Sequence, residues 1–158
     1  MNLNNAEKMA VDLMAQHGLR NYSDSLGFWR FEFDNAKRRS GYCLGDVRII
    51  SMSKYYVRLN DESAVRNTIL HEIAHALVGG EHHHDEVWRQ KAIEIGSDGR
   101  RCRNAEETVT VPAPYEAVCP GCNRTVTAYR RPRRHKSCGQ CNPQFFDTRF
   151  LLNFRRVR

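Results

Sequence analysis

The sequence predicts an α+β fold: helices and a small antiparallel sheet, followed by a compact module built on four cysteines. Three observations carry this expectation. Residues 28–33 read "FWRFEF", aromatic and charged side chains in alternation; the segment leading into "HEIAH" has apolar residues at helical spacing; and two CxxC pairs fall within residues 119–141. At 158 residues, 41% of them apolar, the chain has material for one main domain and one small appendage. It carries neither a basic segment leading into an apolar run at its start nor the ~18 consecutive apolar residues of a membrane helix. An intracellular protein without membrane association is therefore expected, cytoplasmic or nucleoid-associated, or nuclear in a eukaryotic host.

Charge divides the chain. Residues 1–118 hold 15 Lys and Arg against 17 Asp and Glu, whereas residues 119–158 hold 10 against one. We expect a main domain over 1–106, a connector over 107–114 interrupted by two prolines, and a basic zinc-ribbon module over 115–158. No internal repeat or glycine-rich phosphate loop is visible.

Residues 5–17 place Ala6, Met9, Ala10, Leu13 and Met14 on one helical stripe, with Asn4 and Glu7 as a capping box and Gly18 as the stop. Trp29, Phe31 and Phe33 then alternate with Arg30, Glu32 and Asp34, the period of a strand covered on one face. Glycines at 41 and 45 separate two further short strands, near 40–43 and 47–51, which complete the antiparallel sheet. Arg38 and Arg39 could contact phosphate but read first as a solvated turn, and Cys43 reads as a small buried residue. Asn60 or Asp61 can cap a helix running to Val78, which Gly79 and Gly80 end. A second helix begins near His84 or Asp85 and reaches Ile95, turning Trp88, Ala92 and Ile95 inward. Cys102 is an ordinary thiol near the end of the domain.

On a helix, His71 and His75 lie about one turn apart, so both imidazoles can reach one zinc ion, with Glu72 beside them. The chemistry asks for this division: zinc acidifies water and polarises a carbonyl, while Glu72 takes the proton and returns it to the departing amine. Catalytic zinc sites use three protein ligands and leave one position open. Glu81, Glu86 and Glu94 are formal candidates for the third ligand. His84 is favoured, because Trp88 one turn later can fix its direction; His82, in a looser turn, is the alternative.

Cys119, Cys122, Cys138 and Cys141 form two pairs joined by a segment long enough for a hairpin. Four thiolates satisfy tetrahedral zinc, so this second ion is structural. A module of ~40 residues has little apolar core, and zinc should supply much of its folding free energy. Between the pairs, Arg130, Arg131, Arg133, Arg134 and Lys136 form a dense positive segment next to Tyr129. Phosphate attraction makes DNA the expected partner, with RNA as an alternative and little sequence specificity.

The histidine-glutamate-x-x-histidine run at 71–75, followed by His84 and Trp88, resembles the SprT-like zinc metallopeptidase family, which includes the Spartan DNA-protein-crosslink proteases. Asp85 stands where that family usually has glycine after its third histidine. The strands around "FDNAKRRSGYC" and "VRIISMS" are similar to those preceding the family's active-site helix, and the terminal zinc ribbon fits the same arrangement. A metzincin would want glycine at 78 and histidine at 81, where this chain has Val78 and Glu81. The resemblance implies a zincin-like metallopeptidase domain with one catalytic and one structural zinc, and a zinc-dependent endopeptidase acting on proteins bound or crosslinked to DNA. A noncatalytic DNA-binding zinc adaptor and a zinc hydrolase with a DNA-independent substrate are the two alternatives.

Overall fold

A computed structural model describes residues 1–19, 28–102 and 108–157. The chain forms two compact units, Met1–Val111 and Pro112–Arg158. The domain limit expected at residue 106 lies outside the described residues.

In the first unit, helix α1 (Leu3–Gln16) buries Ala6, Ala10, Leu13 and Met14. Its cap is not the expected Asn4 and Glu7 pair: the Asn2 side chain accepts from the Asn5 N–H at 2.8 Å, two residues earlier. Asn2 satisfies one of the open N–H groups that any helix start leaves. Strands β1 (Arg30–Asp34), β2 (Gly41–Leu44) and β3 (Ile49–Ser53) form one sheet in the order β1-β3-β2.

The sheet corrects one expectation. β2 and β3 pair antiparallel as anticipated, but β1 runs parallel to β3, with Arg30 opposite Ile49 and Asp34 opposite Ser53. The reason lies in β3, whose Ile50, Ser51, Met52 and Ser53 are all buried. A strand covered on both faces takes the centre, which sends β2 to the edge and leaves β1 beside a strand of its own direction.

Helix α2 (Lys54–Leu59), which the sequence reading passed over, starts on the Ser53 side chain. Asp61 caps α3 (Glu62–Val78) by accepting from the Ala64 N–H at 2.8 Å, and Gly79 closes it at φ 95°, a value that L side chains rarely adopt. Asp85 likewise caps α4 (Glu86–Glu94). Val65, Ile69, Leu70 and Ile73 of α3 pack with α1, Val57 and β3 in the main core. Trp88 and Ala92 of α4 cluster with Ala74.

The second unit is a small sheet, β4 (Tyr115–Val118), β5 (Thr125–Ala128) and β6 (Arg155–Arg156), in the order β5-β4-β6 with antiparallel pairings. Among the described residues its buried core comprises Ala117, Cys119, Cys138 and Leu152, with Val126, Cys141, Phe150 and Phe154 packed against them. No helix among the described residues is long and apolar enough to cross a membrane.

Candidate active site

Helix α3 sets His71 and His75 on one face, and the turn into α4 brings His84 to them. His84 Nε2 lies 3.1 Å from Nε2 of His71 and 3.1 Å from Nε2 of His75. A tetrahedral zinc with nitrogen bonds of ~2.0–2.1 Å spaces its ligands ~3.3 Å apart, so these three atoms suit a single ion. Trp88 fixes all three rings: its centroid lies 4.6 Å from His71, 5.2 Å from His75 and 4.6 Å from His84. Main-chain hydrogen bonds at Arg100 and His82 hold His71 and His75 respectively. Such outer contacts fix ring orientation and tautomer.

The rival histidine is occupied elsewhere. His82 Nδ1 lies 2.8 Å from Asp85 Oδ2, while Asp85 Oδ1 accepts the Trp88 N–H at 3.0 Å. Asp85, at the position where glycine is usual, thus caps α4 and draws His82 away from the triad.

Glu72 is buried, only 6% exposed. Burial pushes its carboxyl up to about 8, against a smaller pull from the Arg39 guanidinium. It lies against β2, where a methyl group built on Gly41 would stand 3.1 Å from Glu72 Oε1 and 2.8 Å from the Ser51 carbonyl oxygen. Burial, reinforced by mutual repulsion, lowers His71 and His75 to about 4. Burial also lowers His84, helped by Arg101 and His83. The three imidazoles are therefore neutral near pH 7, the form that ligates a metal.

The triad and Glu72 open into a cleft of about 1390 Å³ between the β1–β2 turn, β2, α3 and the 96–102 loop. Asn67 of α3 holds that loop, its Oδ1 accepting from Ser97 Oγ and the Asp98 N–H, each at 2.9 Å.

In the second unit the four cysteine sulfurs gather. Cys119 and Cys141 Sγ are 3.7 Å apart, and Cys122 and Cys138 Sγ are 3.8 Å apart. Tetrahedral zinc with sulfur bonds of ~2.3 Å gives edges of ~3.8 Å, so this donor set also fits. Each pair sits in the same kind of turn: Asn123 N–H donates to the Cys119 carbonyl and Asn142 N–H to the Cys138 carbonyl, both at 3.0 Å. Main-chain N–H groups of Cys141 and Gln140 draw the Cys138 thiol down to about 7, which favours the ligating thiolate. Within each of the two clusters the ligand atoms lie within 4.8 Å of one another.

Comparison with known proteins bears on the first unit. The model of the SprT-like family matches residues 12–110. The chain belongs to the SprT-like family. No curated protein matches it. Among solved structures, the crystal structure of the metallopeptidase zymogen of Methanocaldococcus jannaschii jannalysin is similar, at 17% identity and a TM-score of 0.45, over 59% of this chain and 83% of that one.

The SprT-like region contains the whole histidine triad, which can hold one metal ion, and Glu72. It also contains features that sequence reasoning passed over. Arg38 and Arg39, read as a solvated turn, line the cleft, as do Arg66, Asp98, Arg100 and Arg101. Cys102, near the end of the domain as expected, is exposed in that lining, and burial pushes the Cys43 thiol up to about 12. No sequence pattern marks the 96–102 loop, because Asn67 recruits it from 30 residues away. In the ribbon of this SprT-like chain, Arg130, Arg131, Arg133, Arg134 and Lys136 are all exposed between β5 and Ser137. Among the described residues none of their side chains forms an ion pair.

Proposed function

We propose that this SprT-like chain is a zinc-dependent endopeptidase that cleaves proteins bound or crosslinked to DNA. The convergence of three neutral imidazoles beside a buried carboxyl, at the floor of an open cleft, carries the proposal. In it His71, His75 and His84 hold the catalytic ion, and the four cysteines hold a structural one. Bound zinc supplies Lewis acidity, which acidifies water and polarises a peptide carbonyl. A cation held by the triad would offset the burial that pushes the Glu72 carboxyl up and keep it ionised, so that Glu72 accepts the proton on a carboxylate oxygen and delivers it to the departing amine nitrogen. Trp88 and the main chain at Arg100 and His82 keep the rings in place, so that little reorganisation accompanies reaction.

β2 supports a polypeptide as the substrate. It is an edge strand of its sheet, and Gly41, Tyr42 and Cys43 line the cleft. An extended chain can bond to such an edge through its backbone, largely irrespective of side chains. Selection would then come from delivery, for which the exposed cations of the ribbon are suited: they can neutralise phosphates without reading bases. His135, also exposed, belongs to the same surface.

The test is time-resolved cleavage of a protein covalently attached to DNA by the zinc-loaded full chain, beside Glu72→Gln and the same protein free of DNA. Cleavage that needs both Glu72 and the DNA is the expected result. A general base contributes about 10²–10⁴-fold, so Glu72→Gln should fall at least that far. Equal cleavage of free protein would remove DNA from the function, and an active Glu72→Gln would remove the proposed mechanism.

A further inference from the structure

The cleft has a charge of its own. Residues 1–111 carry 15 Lys and Arg against 16 Asp and Glu, so the unit is close to neutral. Five of those cations, Arg38, Arg39, Arg66, Arg100 and Arg101, nevertheless line the cleft, against the acidic side chains of Asp61, Glu72 and Asp98. Glu72 is buried, and the other two carboxylates are engaged by the main chain, Asp61 at the Ala64 N–H and Asp98 at the Arg100 N–H.

The arginines come from three walls: the β1–β2 turn, helix α3 and the 96–102 loop. Their charge reaches the reacting centre, since Arg39 acts electrostatically on Glu72 and Arg101 acts on His84. Asp34 answers part of the Arg39 charge at 2.9 Å, and the guanidinium also lies 4.4 Å from the Tyr42 ring centroid. Among the described residues, the side chains of Arg66, Arg100 and Arg101 form no ion pair. Cations converging in a concave site focus their field on whatever lies between them.

We infer that these cleft arginines select polypeptide segments carrying Asp or Glu within a few residues of the scissile bond. The inference rests on the endopeptidase reading above and adds a side-chain preference to it. A polypeptide is the occupant because the cleft holds the triad and Glu72, and a nucleic acid lying along the same arginines would fill the space the cleaved chain needs. The ribbon meanwhile offers nucleic acid a separate exposed set of cations. Guanidinium groups also suit carboxylates, which they can bind through two parallel N–H donors.

The zinc-loaded full chain would be given a mixture of unfolded proteins and its cut sites mapped. Peptide pairs differing only by Glu or Gln beside the preferred bond would then be compared, with and without a short single-stranded oligonucleotide. Acidic residues should be enriched around the cuts. The Glu peptide should show about fivefold higher kcat/KM, as expected of partly exposed ion pairs. That ratio should shrink at high salt and fall towards one in Arg66→Gln combined with Arg101→Gln. Cuts without acidic enrichment, or a ratio indifferent to the arginine changes, would overturn the inference and leave the endopeptidase standing. Competitive inhibition by the oligonucleotide that disappears in the double variant would overturn it in favour of nucleic-acid binding in the cleft. No cleavage of any protein would remove both.

Discussion

Trp88 is the residue through which the fold and the metal centre can be tested together. It is 1% exposed and contacts all three triad imidazoles, yet its buried Nε1 has no hydrogen-bond partner among the described residues. A buried Trp removes ~150–250 Å² from water, which at ~25 cal/mol per Å² is worth ~4–6 kcal/mol as an upper bound. Trp88→Ala should therefore cost about 3–5 kcal/mol. Trp88→Phe keeps an aromatic ring against the histidines and removes the unpartnered N–H, whose burial costs about 1–3 kcal/mol. Its net cost should stay below about 1.5 kcal/mol. Urea denaturation of the first unit measures both values. Losing the support of the rings should also weaken metal binding by about 10–100-fold in Trp88→Ala. Cobalt(II) titration separates the two sites, because only the four-cysteine site gives thiolate charge-transfer absorption. A Trp88→Ala protein within about 1 kcal/mol of the parent, or a Phe variant as damaged as the Ala variant, would refute this account of what orders the triad.

Three other outcomes follow from named contacts. Gly41→Ala places a carbon 2.8 Å from the Ser51 carbonyl oxygen and 3.1 Å from Glu72 Oε1; it should cost about 1–3 kcal/mol by denaturation and lower cleavage by displacing Glu72 or β2. Cys138→Ser should unfold the second unit while the first keeps its structure, as amide exchange would show, because so small an apolar core depends on its metal. Side-chain and main-chain hydrogen bonds from Arg149 hold the Asp147 carboxyl at about 2, below its ordinary value. The stabilisation is thus fully present above the ordinary Asp range, so Asp147→Asn should destabilise the zinc-loaded second unit at neutral pH, as an NMR-monitored urea denaturation would show.

What the sequence determined is local. His71 and His75 share a face because four residues make about one helical turn, Asp61 and Gly79 bound that helix through their own side chain and backbone, and each CxxC pair folds into its own turn. The meeting of His84 with the other two imidazoles was legible for a similar reason, since Trp88 lies one turn further along. The tertiary structure decided what depends on distant partners. Central burial of β3 set β1 parallel to it, Asp85 took His82 out of contention, and β2 brought Gly41 against Glu72. Asn67 drew in the 96–102 loop, and with it the arginines that give the cleft its charge. Spacing along a helix or turn is fixed by backbone geometry, whereas these contacts join residues whose separation along the chain carries no periodic signal, so only packing brings them together.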